Sequence, residues 1–210
     1  MVTRRSEPAS VALVACGALV VEVRRIVEAR GWRADLYGIP AIYHMRPSSI
    51  VAAVDERLEQ IRGRYDKVIV VYGDCGTAGA LDDVLRRHGA ERTFGSHCYE
   101  IFCGRDFGDL LDRSPTTYFL TDYLVRAWDT VVLSELGLDR DPSLQSEVFN
   151  GFTSVTYLRQ SLDLELLDGA QRIADCLGLP LNIEDVGLLQ LEMQLAGLIE
   201  QPAKLSESYE

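Results

Sequence analysis

Short runs of β-branched and aliphatic residues alternate along this chain with longer segments whose apolar residues recur every three or four positions. The runs are "SVALVAC" (10–16), "RADLYGI" (33–39), "DKVIVVYG" (66–73), "TTYFL" (116–120), "SVTYL" (154–158) and "PLNIED" (180–185). Runs this short and this apolar suit strands rather than helices. Between them lie residues 17–31, with Leu19, Val23, Ile26 and Val27 at helical spacing and Gly31 as a C-cap, and residues 49–63, with Ile50, Val54, Leu58 and Ile61 on one face and Ser48 or Ser49 as the N-cap. Residues 79–89, 123–137, 164–178 and 186–201 read as further helices, with Thr121 or Asp122 capping the one that starts at 123. Strands joined through helices pair in parallel, because a crossover must return to the same end of the sheet. The expected fold class is therefore α/β: a single domain with a mostly parallel, doubly wound sheet and helices on both faces.

Residues 10–200 are expected to form that domain, with residues 1–9 and the acidic tail 201–210 disordered. A chain of 210 residues buries a full core without staples. The net charge of -11 argues against nucleic acid or an anionic membrane as partner. "MVTRRSEPAS" has no apolar signal region, and no run approaches a membrane span. A cytoplasmic location is expected. Five cysteines is an odd number, which there points to free, catalytic or metal-bound thiols rather than a disulfide framework.

The polar oddities fall where strands end. Cys16 ends the first strand, His44 and Arg46 follow the second, Asp74 and Cys75 the third, and His97 and Cys98 the presumed fourth, after "ERTFG" and in a loop, "SHCYEIFCG". In open α/β sheets the carboxyl edge at the topological switch point is where ligands bind. If the strand order is flavodoxin-like, the first and third strands are neighbours and Cys16 and Cys75 face one crevice. Thiolate and imidazole are the usual zinc ligands; iron and cobalt use similar ones. Cys16, Cys75 and Cys98 are thus candidate ligands, with His97 or His44 as the fourth. Adjacent residues of an extended loop point apart, so Cys98 and His97 are an awkward pair, which favours His44.

Other readings stand beside this one. Cys75 near a helix start is a candidate nucleophile, with His97 or His44 as base and Asp74 as orienter. "GDCGTAGA" is glycine-rich, so the amides around Gly76 and Thr77 are candidates for holding a phosphate or carboxylate, although no Walker loop is present. Arg46 is a candidate carboxylate clamp. Glu100 is a candidate partner for a histidine, and Tyr99 stands beside it. Cys176 and Cys103 read as core filler, and His88 as a cation at a helix C-terminus.

"ACGAL", "IPAIYHMRP", "VVYGDCGTAGALD", "GSHCYEIFCG" and "YFLTDYLVRAWD" together resemble a family known only as domain of unknown function 1638, from about Val11 to Leu181. The polar residues the resemblance carries over are Cys16, His44, Arg46, Asp74, Cys75, His97, Cys98, Tyr99 and Glu100. Members of that family often lie near genes for corrinoid-dependent methyltransferases. The resemblance therefore implies a link to corrinoid chemistry or a corrinoid protein as partner. The resulting expectation is a metal-dependent enzyme, zinc being favoured, acting on a small molecule that carries a thiol or a carboxylate. His44, Arg46, Asp74 and Glu100 are its catalytic candidates, and methyl transfer to a thiol is the favoured reaction. The alternatives are a hydrolase or lyase using metal-bound hydroxide, a cysteine-nucleophile enzyme, and an accessory protein that handles metal or corrinoid without turnover.

Overall fold

The run Val11–Cys16 forms β1, buried along its whole length. It pairs in parallel with β2 (Ala34–Ile39) on one side, and after the helix α1 (Val20–Arg30) and the helix α2 (Pro47–Gln60) it pairs with β3 (Lys67–Val71) on the other. After α3 (Ala80–His88) a two-residue strand, β4 (Glu91–Arg92), extends the sheet, giving the order β2-β1-β3-β4. The central position of β1 follows from its sequence. It carries no charged side chain, whereas edge strand β2 exposes Asp35 and Gly38. Gly31 and Gly89 end α1 and α3 at φ +64°, a left-handed turn that glycine adopts without a Cβ penalty. Ile50, Val54 and Leu58 bury one face of α2; each such side chain contributes about 1.5–3 kcal/mol. His88, in the last turn of α3, reaches across to α2, its Nε2 2.6 Å from Asp55 Oδ1.

The computed structural model describes residues 11–201; the terminal segments expected to be disordered, residues 1–9 and nearly all of 201–210, lie outside them. The described chain divides into two compact units. One holds the sheet above together with the residues from Leu191 onward; the other spans Tyr99–Gln190. The second unit continues α4 (Cys98–Cys103) into α5 (Asp106–Arg113), β5 (Thr117–Thr121) and α6 (Asp122–Arg126). A π-helical segment, Trp128–Leu133, and a 3-10 turn at Pro142–Leu144 lead through α7 (Gln145–Val148) to β6 (Ser154–Arg159). Then come α8 (Leu164–Leu177), β7 (Leu181–Asp185) and α9 (Leu189–Glu200), which from Leu191 onward belongs to the first unit. The sheet of the second unit is parallel, in the order β5-β6-β7. Phe119 and Leu158 pack with Cys103, Phe107 and Leu110, while Leu120, Val155 and Tyr157 belong to a larger cluster with Trp128, Phe149 and Ile173. Successive residues of one strand thus enter different cores, as a covered sheet requires. In the first unit, the end of α9 is tied to the sheet by the Lys67 ammonium, which donates to the carbonyls of Leu198 and Gln201.

The α/β class and the parallel pairing are as expected. The seven strands among the described residues, however, form two sheets rather than one. Other details also differ. Neither Ser48 nor Ser49 caps α2. The helix starts two residues earlier than residue 49, with Pro47 at its first position, where a missing N–H costs nothing. Thr121 does cap α6, its hydroxyl accepting from the Leu124 amide, but α6 stops at Arg126 and the π-helical segment follows. "SHCYEIFCG" is largely the helix α4 rather than a loop. Cys103 is buried, but Cys176 is exposed on α8 and does not fill the core. No helix among the described residues is long and apolar enough to cross a membrane.

Candidate functional site

The first sheet reverses direction between β1 and β3. From β1 the chain crosses outward to β2, while β3 lies on the other flank. The carboxyl ends of these two strands therefore flank a switch-point crevice. The register pairs Ala15 with Val71, so Cys16 and Tyr72 come next along it. A side-chain hydrogen bond joins them, and the charge of Cys16 is felt at Cys75. Cys16, Tyr72 and Cys75 are all buried. Burial pushes the Cys16 thiol up, only partly offset by bonds from Ala18 and Tyr72. Burial, followed by the nearby Cys16, pushes the Cys75 thiol up to about 11. Burial and Cys16 also raise the Tyr72 hydroxyl. Three adjacent groups are thus each held in the neutral form. A positive charge brought to any of them would favour its ionised form.

Cys75 sits on a strained turn. Its φ is +49° and that of Ala78 is +51°, both in the left-handed region that non-glycine residues seldom adopt. The turn is held by Asp74. Its Oδ1 accepts from the Thr77 hydroxyl (3.0 Å) and the Gly79 amide (3.1 Å), and its Oδ2 from the Ala78 amide (3.2 Å). The Gly79 amide, with the Thr77 hydroxyl and the amides of Ala78 and Gly76, holds the Asp74 carboxyl below the usual carboxylate range. The Gly76, Ala78 and Gly79 amides therefore already serve the loop's own carboxylate, while the Thr77 amide donates to the Asp74 carbonyl (3.0 Å). Thr77 itself is buried.

The turn is pinned to the segment before α4. The Asp74 amide donates to Gly95 O (2.9 Å) and the Cys75 amide to Ser96 O (2.7 Å). A Cβ at Gly73 would lie 2.7 Å from the His97 amide nitrogen, so only glycine allows this approach. His97 and Cys98 thus follow directly on a backbone contact with Cys75. On the other side, Gly17 donates to Ile39 O (2.7 Å), and a Cβ at Gly76 would stand 3.3 Å from Pro47 Cγ. The segment from Ile39 to Pro47, a 3-10 turn at Ala41–Met45, therefore runs from the end of β1 to the Cys75 turn. It carries His44 and Arg46, both exposed. The surrounding protein still lowers the His44 pKa by desolvation, which favours the neutral imidazole. Glu100 and Tyr99 belong to the other compact unit. Tyr99 packs there against Phe107 and Phe119, its ring centroid 5.4 Å from that of Phe119.

Two contributors were not singled out from the sequence. Tyr72 is one; its signal was a phenol ending an otherwise aliphatic strand. Arg92 is the other. It grips Asp82 through Nε (2.6 Å) and Nη2 (3.2 Å) and donates through Nη1 to the carbonyls of Thr93 (3.0 Å) and Gly95 (3.4 Å). It thereby fixes the segment that carries Ser96 and His97, and it is the cation that slightly lowers the Cys75 thiol. Among the described residues, no three His, Cys, Asp or Glu side chains stand together as a metal-binding group. The five cysteines are all thiols.

Residues 39–195, most of the chain, match the model of the family described as Protein of unknown function (DUF1638). No curated protein and no solved structure matches the chain.

Proposed function

The chain belongs to the DUF1638 family, and we propose that it is a thiolate–metal enzyme acting on a small molecule at the crevice between β1 and β3. The observation that carries this reading is the pair of buried thiols, Cys16 and Cys75, at neighbouring strand ends, the second of which senses the first. Two neutral thiols with a phenol beside them form a poor nucleophilic centre but a fitting set of soft donors. Cys98 and His97, just beyond the backbone bond from Cys75 to Ser96, are the donors nearest in sequence to complete a set, with His44 the alternative imidazole. When bound, the metal supplies positive charge and Lewis acidity, holding ligand and substrate thiols as thiolates near neutral pH. Zinc is the favoured metal, with iron and cobalt using the same ligands. Thiol-directed methyl transfer is the favoured reaction.

Around this centre the chain's own residues have separable roles. Asp74 keeps Cys75 in its left-handed conformation. Tyr72 orients Cys16 through their hydrogen bond. His44, kept neutral, is suited to take a proton from a substrate thiol, and Arg46 to grip a substrate carboxylate in bidentate fashion.

The test is metal loading. Protein purified without chelator should carry about one metal per chain. Titration with Co(II) should give a sulfur-to-cobalt charge-transfer band that Cys16→Ser and Cys75→Ser each abolish, with little change in melting temperature. Absence of any cysteine-dependent binding of zinc, Fe(II) or Co(II) would overturn the reading.

The left-handed backbone at Cys75 favours a second reading, a nucleophile presented on a strained strand-end turn. It requires that iodoacetamide label Cys75 of the metal-free protein rapidly at neutral pH. A thiol held near 11 should label slowly.

A further inference from the structure

The second unit contains a cavity of about 320 Å³ between α6, the π-helical segment and α8, on which the thiol site makes no demand. Its volume lies at the lower end of the small-molecule range. Its wall on α8 is one helical face, since Gly169, Arg172, Ile173 and Cys176 recur at steps of three and four. Gly169 sets the shape: a Cβ there would lie 2.6 Å from Val125 Cγ1, so at that point the two helices touch. Beyond the contact they part, and the space is lined by Val125, Trp128, Leu133 and Ile173 together with two guanidinium groups, Arg126 and Arg172. The segment Trp128–Leu133 is π-helical, a backbone form that costs hydrogen-bond quality and often marks a functional site.

The charge is what makes the cavity unusual. The chain carries 32 acidic residues against 21 lysines and arginines, yet the cavity is lined by two arginines and one aspartate, Asp129. Arg172 has no carboxylate partner among the described residues. The carbonyl of Cys176, near the negative end of α8, is occupied by the Gln145 side-chain amide at 2.8 Å. We propose that this cavity binds a small organic acid, with its carboxylate held by Arg126 and Arg172 and its apolar body against Trp128, Leu133 and Ile173. A guanidinium fork matches a carboxylate in bidentate fashion, and the apolar wall selects against a bare anion.

The chain has two tryptophans, so in Trp32→Phe the fluorescence of Trp128 alone reports on the cavity. Trp32 lies outside the second unit and stacks on Arg30, so its replacement leaves the cavity intact. Titration with cyclohexanecarboxylate should give a saturable, single-site change. Cyclohexylmethanol, which lacks the charge, and acetate, which lacks the body, should each bind at least about tenfold more weakly. Arg172→Ala should weaken the carboxylate by at least about tenfold and leave the alcohol unchanged, and Arg172→Lys should recover part of the loss. Arg126 and Arg172 are exposed, so their replacement does not threaten the fold. The proposal is overturned if the carboxylate gives no saturable change up to about 10 mM. It is equally overturned if Arg126→Ala and Arg172→Ala bind as the parent does, or if acetate or the alcohol binds as tightly as the acid.

Discussion

The carboxyl edges of the two sheets are built on opposite principles. At the edge of β5 and β6, Asp122 is fully buried and its polar atoms are answered. Its Oδ1 accepts from the Tyr157 hydroxyl (2.7 Å) and the Gln160 amide (3.0 Å), its Oδ2 from the Ser161 hydroxyl (2.5 Å), and its own amide donates to Gln160 Oε1 (2.6 Å). At the edge of β1 and β3, Cys16, Tyr72 and Cys75 are buried with far less to satisfy them, and each is held neutral. A closed network spends its polar groups on stability, whereas an open one leaves them to an incoming charge. By this contrast the second edge is a closed network, whereas the first is the one on which the proposed chemistry depends, even though both lie where parallel sheets place their ligands.

The contrast is broken most directly at Asp122. Asp122→Ala strands the Tyr157 hydroxyl, the Gln160 amide and the Ser161 hydroxyl, and should destabilise the protein by about 3–5 kcal/mol in urea unfolding. A loss below about 1 kcal/mol would mean that the second edge is not a closed network. Next comes Gly73→Ala. Its new methyl meets the His97 backbone at 2.7 Å, so something must shift, at a cost of about 1–3 kcal/mol. Because the shift separates Cys75 from Ser96, metal loading should fall with stability, and unchanged loading would detach His97 and Cys98 from the site.

Asp74→Ala removes a carboxylate that serves several loop donors, with an expected loss of about 1–2 kcal/mol. The same group fixes a pH dependence. Its carboxyl pKa is lower in the folded protein than in the unfolded chain, so its contribution is fully present above the ordinary value of about 3.9 and is lost as pH falls through the depressed folded value. In acid melts the parent should therefore lose stability over that window, while Asp74→Asn loses less there. Parallel acid curves for the two proteins would remove Asp74 from the loop's hydrogen bonding. The smallest effect sharpens the strain at Cys75. At φ +49° a non-glycine residue costs about 1–2 kcal/mol, offset in part by the larger entropy that glycine loses on folding, about 0.5–1 kcal/mol, so Cys75→Gly should melt modestly above Cys75→Ala. The reverse order would show that the turn is not left-handed.

What the sequence by itself determined about this protein is local. β1 and β3 were legible because their runs are apolar apart from Lys67 at the start of β3, and Gly31 was legible as a helix stop because a left-handed C-cap is a property of one residue. That the polar residues cluster at strand ends was legible too, because strand ends are read from composition. Where a local signal was weak the reading slipped. "SHCYEIFCG" reads as a loop because a helix of six residues spans fewer than two turns and shows no clear period. Only the tertiary structure decided that β5 leaves the first sheet to pair with β6, since strand pairing is a contact between residues far apart in sequence. It also decided that Asp74 fills its own loop and that Tyr72 meets Cys16. Both depend on backbone angles and register, which a string of residue types does not contain. The cavity beside Trp128 has the same origin: Gly169 and Val125 are unremarkable apart, and the space exists because they touch.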